Sequence, residues 1–582
     1  MATVEVWAPR ASLVEVDVDG RRCRLTSSTD RAGWWAASVP GMTHGTRYAL
    51  VLDGGDPLPD PLARRMPAGT HAASQWWDPS RYAWGDQAWS GRDFHDPRTL
   101  LYELHIGTFT TQGTLDAAIE RLDHLVDLGV THVELMPLAA FDGARGWGYD
   151  GVALNAVHEP YGGPDALCRF VDAAHARGLA VLLDVVHNHL GPSGNYWGRF
   201  GPFFTERHVT PWGAAINLDD AGSDDVRSIL TASALRWLEE FHLDGLRLDA
   251  VHALRDERAV PFLEVLAAQV EVAEHRLRRP LVLVAESDRN DPQTVAPRGA
   301  HGLGLTAQWD DDIHHALHWL LTGEVGGYYA DFGSCDAVGH ALERGFLHDG
   351  RYSSFRGRRH GRPIDFAATP HRRFVAALQT HDQVGNRARG ERLSQLVSAD
   401  RLAAGAALLL TLPYTPMLFM GEEWGASTPW HFFTSFDDDE LARAVTEGRR
   451  LEFAPYGWNS ADVPDPQAQA TFEVSRLNWA EPDEPEHAEL LEWYRALVAL
   501  RATGHLSAPV SCRWEAGGDG RPRWFEIRCG GQASLVSFVD EPIIVRPALE
   551  GASLTLAWRG GAAWDQDGQL ALAAGCSAVM NS

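Results

Sequence analysis

The chain has 582 residues, 45% of them hydrophobic and 10% aromatic, with a formal net charge of -27. That length holds a barrel of about 250–400 residues with one or two smaller domains. The acidic balance argues against nucleic acid or an anionic membrane surface as a partner and suits a neutral polymer better. All 51 basic residues are arginine, which excludes a lysine Schiff base and a standard phosphate-loop lysine. Cys23, Cys168, Cys335, Cys512, Cys529 and Cys576 are scattered without a CxxC pair, so reduced thiols are expected. Met1–Trp7 carries neither a basic stretch nor a long apolar run, so the expectation is no secretory signal, no membrane span and a cytoplasmic location.

In chain order, residues 1–90 alternate short β-branched runs with turn residues, as in Val14-Glu15-Val16-Asp17-Val18-Asp19-Gly20. This predicts a small antiparallel β-sandwich. Residues 54–69, rich in Pro, Gly and Asp, predict a tether laid along a neighbouring domain. Over residues 91–504 the rhythm becomes strand, loop and helix, repeated. Candidate strands fall near 100–108, 131–137, 179–186, 244–250, 281–286, 305–309, 373–381 and 415–420, with helical patterns such as Asp116–Leu128 and Asp224–Glu240 between them. Eight such units predict an α/β fold, a closed (β/α)8 TIM barrel rather than an open doubly wound sheet. No GxGxxG follows the first strand, which weakens a dinucleotide-binding alternative. Residues 505–582 return to short strands, such as Ser534–Val539, and predict a C-terminal β domain.

Four apolar runs end in chemistry-bearing segments: Asp184-Val185-Val186-His187-Asn188-His189, Gly245-Leu246-Arg247-Leu248-Asp249, Val284-Ala285-Glu286-Ser287 and Gln379-Thr380-His381-Asp382-Gln383. A buried parallel strand gives way to a loop in this manner, and barrel enzymes place catalytic groups at those carboxyl ends. Strand alternation puts Arg247 and Asp249 on one face. An arginine there holds a carboxylate ionised, as a nucleophile needs, although an ordinary buried ion pair reads the same way in isolation. Glu286, near two other acids, is expected to be the one that keeps its proton, because like charges raise a carboxyl pKa. His381, Asp382 and Gln383 can hydrogen-bond a distorted sugar ring; His189 is expected to do the same, and Asp184 to orient Arg247 or the neighbouring acids. A metal site from His187, His189 and Asp184 lacks further ligands, so no metal and no cofactor is expected.

The order and spacing of these segments resemble the α-amylase superfamily of glycoside hydrolases. The resemblance implies Asp249, Glu286 and Asp382 as the catalytic acids and Tyr149, in Trp147-Gly148-Tyr149-Asp150, as a ring stacked on the sugar at the cleavage point. Val6-Trp7-Ala8-Pro9 resembles the N-terminal domain of branching and debranching enzymes. In the superfamily the Asn of the first segment often helps hold a structural calcium. The insert Leu190–Trp197 offers few acids near its start, so calcium is not expected.

Within the superfamily, Tyr102–Thr110 resembles both branching enzymes and maltooligosyltrehalose trehalohydrolases. Leu321–Glu324, Gly327–Gly333, Phe355–Gly361, Asp382–Arg387, Phe432–Thr434 and Glu447–Arg450 are similar to the trehalohydrolases specifically. His187 departs from the tyrosine expected in that family. The resemblance implies a maltooligosyltrehalose substrate, a trehalose product and a retaining mechanism with the Asp249 and Glu286 carboxyls about 5–5.5 Å apart. It also implies a functional pairing with a maltooligosyltrehalose synthase. Trp212, Tyr328, Phe355 and Arg356 are the candidates for the trehalose side. A branching or debranching enzyme and a non-enzymatic glucan-binding barrel are the alternatives.

Overall fold

In Thr3–Trp7 the valines Val4 and Val6 are buried while Thr3 and Glu5 face outward, the period of two that gives a strand one wet face. Val14–Val18 returns as Arg21–Arg24 through Asp19 and Gly20, both at positive φ (51° and 78°). This is the mirror-image turn that matches strand twist and favours Asp-Gly. The N-terminal strands form a three-stranded and a four-stranded antiparallel sheet. Residues 54–69 lie along the barrel, with Ala63 and Met66 buried against Ala140, Ala153 and Ala156. Arg64 pairs with Glu240 at 2.8 Å, and Trp77 stacks on Phe241 with ring centres 5.3 Å apart. The computed structural model describes residues 2–453, 463–503, 506, 509–549 and 551–582; the expected boundary at 504/505 lies outside them.

Eight parallel strands close into a barrel: β1 (Leu101–Leu104), β2 (His132–Leu135), β3 (Ala180–Val185), β4 (Gly245–Leu248), β5 (Val282–Ala285), β6 (Ala307–Trp309), β7 (Phe374–Ala377) and β8 (Thr415–Phe419). β8 pairs with β1, so no edge is left open. Each strand lies within one of the eight segments anticipated from the sequence. Leu246 and Leu248 point to the surrounding helices, whereas Leu182, Val282 and Val284 belong to a separate interior cluster with Phe94 at one end. The expected helix Asp224–Glu240 spans Ser223–Glu240, but Asp116–Leu128 divides into Leu115–Ile119 and Leu122–Leu128. At the break the amides of Glu120 and Arg121 bond three residues back, to Ala117 and Ala118, the tighter pattern of a 3₁₀ turn.

Beyond β3 an antiparallel hairpin, Phe204–Thr210 and Gly213–Ile216, stands over the barrel and carries Trp212 at its tip. The C-terminal strands, from Val510 to Asn581, form a five-stranded and a three-stranded antiparallel sheet. The Trp558 indole donates to Asp400 (2.8 Å) and ties this part to the barrel helix Ala399–Leu410. All six cysteines are unpaired. Among the described residues no helix is long and apolar enough to cross a membrane.

Candidate active site

Register assembles the floor of the site. Asp184 on β3 pairs with Arg247 on β4, and Arg247 with Val284 on β5. One row higher, Leu248 pairs with Ala285, so Asp249 and Glu286 leave neighbouring strands side by side. Arg247 is fully buried (0% exposed) beneath them. Its Nη1 donates to Asp184 Oδ2 (2.7 Å) and to Asp249 Oδ1 (2.9 Å), and its Nη2 lies 3.0 Å from Glu286 Oε2. One guanidinium thus contacts all three carboxylates. The Trp309 ring covers it from β6, 4.3 Å from the guanidinium carbon, a cation–π contact in a dry setting.

Two further contacts hold the acids. Asn188 Nδ2 donates to Asp249 Oδ2 (2.6 Å) and to the Asp249 carbonyl (2.8 Å). Ala250 sits in the left-handed region (φ 39°), which costs a residue with a Cβ about 1–2 kcal/mol. That turn aims the Ala250 amide at Glu286 Oε2 (2.7 Å), an example of backbone strain stored at a site.

Asp382 is the second residue of a short helix, His381–Gly385, that follows β7. Its side chain is 38% exposed and accepts from Asn386 Nδ2 (3.1 Å). Burial first, then the Glu286 carboxylate, pushes its carboxyl above the ordinary range against the pull of His381. The like-charge effect anticipated for the trio thus falls on Asp382. Asp184 is pushed up to about 7 by burial, with Arg247 opposing. Asp311, the first residue of the helix that follows β6, is pushed up to about 8 by burial and then by Glu286 and Asp382.

Tyr149 packs its ring on His381 (centres 5.1 Å apart) and donates its hydroxyl proton to Asp184 Oδ2 (2.6 Å). His189 uses one ring nitrogen on Asn188 and the other on the Tyr149 carbonyl (3.0 Å). Both nitrogens therefore face protein groups, where the sequence suggested sugar hydroxyls, and burial pushes this ring down to about 4. Gln383 likewise turns back, its Oε1 accepting from the Thr380 hydroxyl. The structure thus gathers Tyr149, Asp184, Arg247, His381 and the three acids, with His189 behind them.

The outer candidates form a rim. Among the described residues the exposed large aromatic rings are Trp212, Tyr328, Tyr352 and Phe355. Trp212 stacks on His189 (4.4 Å, 5°). Opposite in sequence, Tyr328 meets His315 edge-on (4.7 Å) and Phe355 (6.0 Å). Arg356 is paired with Asp288, so its charge is already matched by a neighbour of Glu286.

The sequence reading left Glu103 and Asp311 outside the site and assigned Asn188 no contact to Asp249. Among the described residues, His208, Asp219 and Glu257 are the cluster whose ligand atoms could meet a cation. Their charges are already engaged: His208 bonds Asp219 (2.9 Å), and Glu257 pairs with Arg207.

Residues 79–201 match the family model of the α-amylase catalytic domain. A malto-oligosyltrehalose trehalohydrolase from Arthrobacter ramosus is 55% identical over 87% of this chain and 88% of its own length. One from Mycobacterium tuberculosis is 50% identical over 98% of each. The crystal structure of a Salmonella typhimurium protein provisionally named an alpha amylase superposes with a TM-score of 0.89 at 38% identity, covering 100% of this chain and 97% of that one.

Proposed function

The chain belongs to the malto-oligosyltrehalose trehalohydrolases, glycoside hydrolases of the α-amylase family, and on that premise we propose that it releases trehalose from maltooligosyltrehalose by a retaining double displacement. Asp249 attacks the anomeric carbon of the α-1,4 bond next to the terminal trehalose. That carbon–oxygen bond breaks, and Glu286 gives its proton to the departing trehalose oxygen. Water then attacks the same carbon, returns a proton to Glu286 and frees Asp249 with net retention.

The observation that carries this reading is the placement of Asp249 and Glu286 one strand apart in register, both on the Arg247 guanidinium. Neighbouring strands lie about 4.8 Å apart, close to the retaining spacing and short of the roughly 6.5–9.5 Å that leaves room for an inverting water. Asp382, whose carboxyl burial pushes above the ordinary range, and His381 bond hydroxyls of the distorted ring, which Tyr149 stacks against. Trp212, Tyr328 and Phe355 form the trehalose side, with Arg356 behind. A cytoplasmic location and a maltooligosyltrehalose synthase supplying the substrate complete the proposal.

Product analysis on maltotriosyltrehalose beside maltopentaose, with Asp249→Ala as the blank, tests it. Trehalose plus maltotriose, with maltopentaose nearly untouched, is the expected outcome. Equal cutting of both substrates would make this a general α-glucan hydrolase. Altered iodine staining of amylose without free trehalose would make it a branching enzyme.

A further inference from the structure

Glu103 lies at the end of β1, opposite the catalytic acids, and both of its oxygens are spent on His381. Oε2 accepts the His381 backbone amide (2.9 Å), and Oε1 accepts from the ring at Nδ1 (2.5 Å). Both side chains are 2% exposed. On the other side of the ring, Nε2 lies 2.8 Å from the Tyr149 hydroxyl. Tyr149 has a single proton, and it goes to Asp184 Oδ2 at 2.6 Å. The Tyr149 oxygen is therefore an acceptor toward His381, so Nε2 carries a hydrogen. Nδ1 faces a carboxylate and carries one too. Both ring nitrogens are donors, and His381 is an imidazolium.

We propose that Glu103 is a positioning residue that keeps His381 doubly protonated and thereby sets the direction of a hydrogen-bond chain from His381 through Tyr149 and Asp184 to Arg247 and the nucleophile Asp249. Each link is a hydrogen bond: His381 to Tyr149, Tyr149 to Asp184, Arg247 Nη1 to Asp184 (2.7 Å) and to Asp249 (2.9 Å). Loss of the Nε2 proton would turn the Tyr149 hydroxyl toward His381. Asp184 would then lose a donor while its Oδ1 is already buried without a partner, and the acid that holds Arg247 would be left under-bonded in a dry site.

The groups around the ring favour this state. Burial pulls His381 down, but Glu103 and then Asp382 outweigh it and lift the imidazole to about 9, against Arg247. Burial raises the carboxyl of Glu134, beside Glu103, well above the carboxylate range, and lowers His105 to about 3. Asp184 and Tyr149 complete the shell, and the Trp147 and Trp309 rings close it at 5.6 and 6.0 Å. The sign follows: the charged ring persists below about pH 9 and is lost above it.

The test compares wild type with Glu103→Gln, which keeps shape and removes the charge. The pH dependence of kcat is followed on maltotriosyltrehalose, or on maltopentaose if that is the substrate cut, so that failure of the proposed activity and failure of this inference are separable. The His381 ring is expected to titrate near pH 9 in wild type and about 1–2 pH units lower in Glu103→Gln, the shift that loss of an adjacent opposite charge produces. A fall in kcat by one factor at every pH, with the His381 titration unmoved, would make Glu103 merely structural and overturn the proposal. Histidine 13Cε1 spectra, with the resonance assigned through His381→Gln, read the wild-type titration without substrate. A midpoint below pH 7 there would overturn the proposal independently of activity and of how the variant folds.

Discussion

The floor of the site and its rim are built on opposite terms. The floor is Glu103, Tyr149, Asp184, Arg247, Asp249, Glu286 and His381, placed by strand register and by hydrogen bonds mostly of 2.5–2.9 Å. The rim is Trp212, Tyr328 and Phe355, exposed by 50%, 37% and 55% and standing on a hairpin and loops. The difference separates two tasks. The floor must hold charges where burial makes any unpaired one costly, so each acid has fixed donors. The rim offers flat apolar faces with little to hold them, which suits a ring that must arrive and leave.

Substitutions that respect this division sharpen it. Asp249→Asn preserves the shape of the floor and removes its nucleophile; kcat on maltotriosyltrehalose is expected to fall about 10⁴–10⁶-fold, and a loss under tenfold would show that another group attacks. Arg247→Met leaves the floor acids without their shared cation. Urea unfolding should then report about 3–5 kcal/mol less stability, the cost of breaking a buried pair from one side; an unchanged midpoint would mean the acids need no such partner. Phe355→Ala works on the rim alone. KM for the same substrate is expected to rise about 2–10-fold, from a stacking contact of about 0.5–1.5 kcal/mol, with kcat and the unfolding midpoint nearly constant. A large fall in kcat there would break the comparison by giving the rim a part in the chemistry.

The same division explains what could be read in advance. Buried parallel strands are near-continuous apolar runs, so all eight are legible in the sequence, and the period of two places Arg247 and Asp249 on one face. Glu103 was not legible as a partner of His381. The two lie 278 positions apart and meet only because β8 closes onto β1, a relation that no local pattern encodes. The hairpin carrying Trp212 was hidden for another reason: Phe204–Thr210 alternates poorly, with Thr205 buried and Glu206, Arg207 and Val209 exposed. Trp212, Tyr328 and Phe355 are expected on the trehalose side as aromatic rings able to stack on sugars, but loop sequence says nothing of which way each faces. Gln383 and His189 show the converse, since both are expected on sugar hydroxyls and both also bond adjacent backbone or side chains.

The Arg247 fork also has a consequence in time. In the proposed reaction Asp249 becomes an ester after the first displacement and ceases to be an anion, while the guanidinium keeps its charge. Glu286, on the other tine at 3.0 Å, has by then given up its proton and is the free carboxylate beside that charge. The cation that steadied the nucleophile in the first half-reaction steadies the base in the second, and no side chain has to change place for the hand-over.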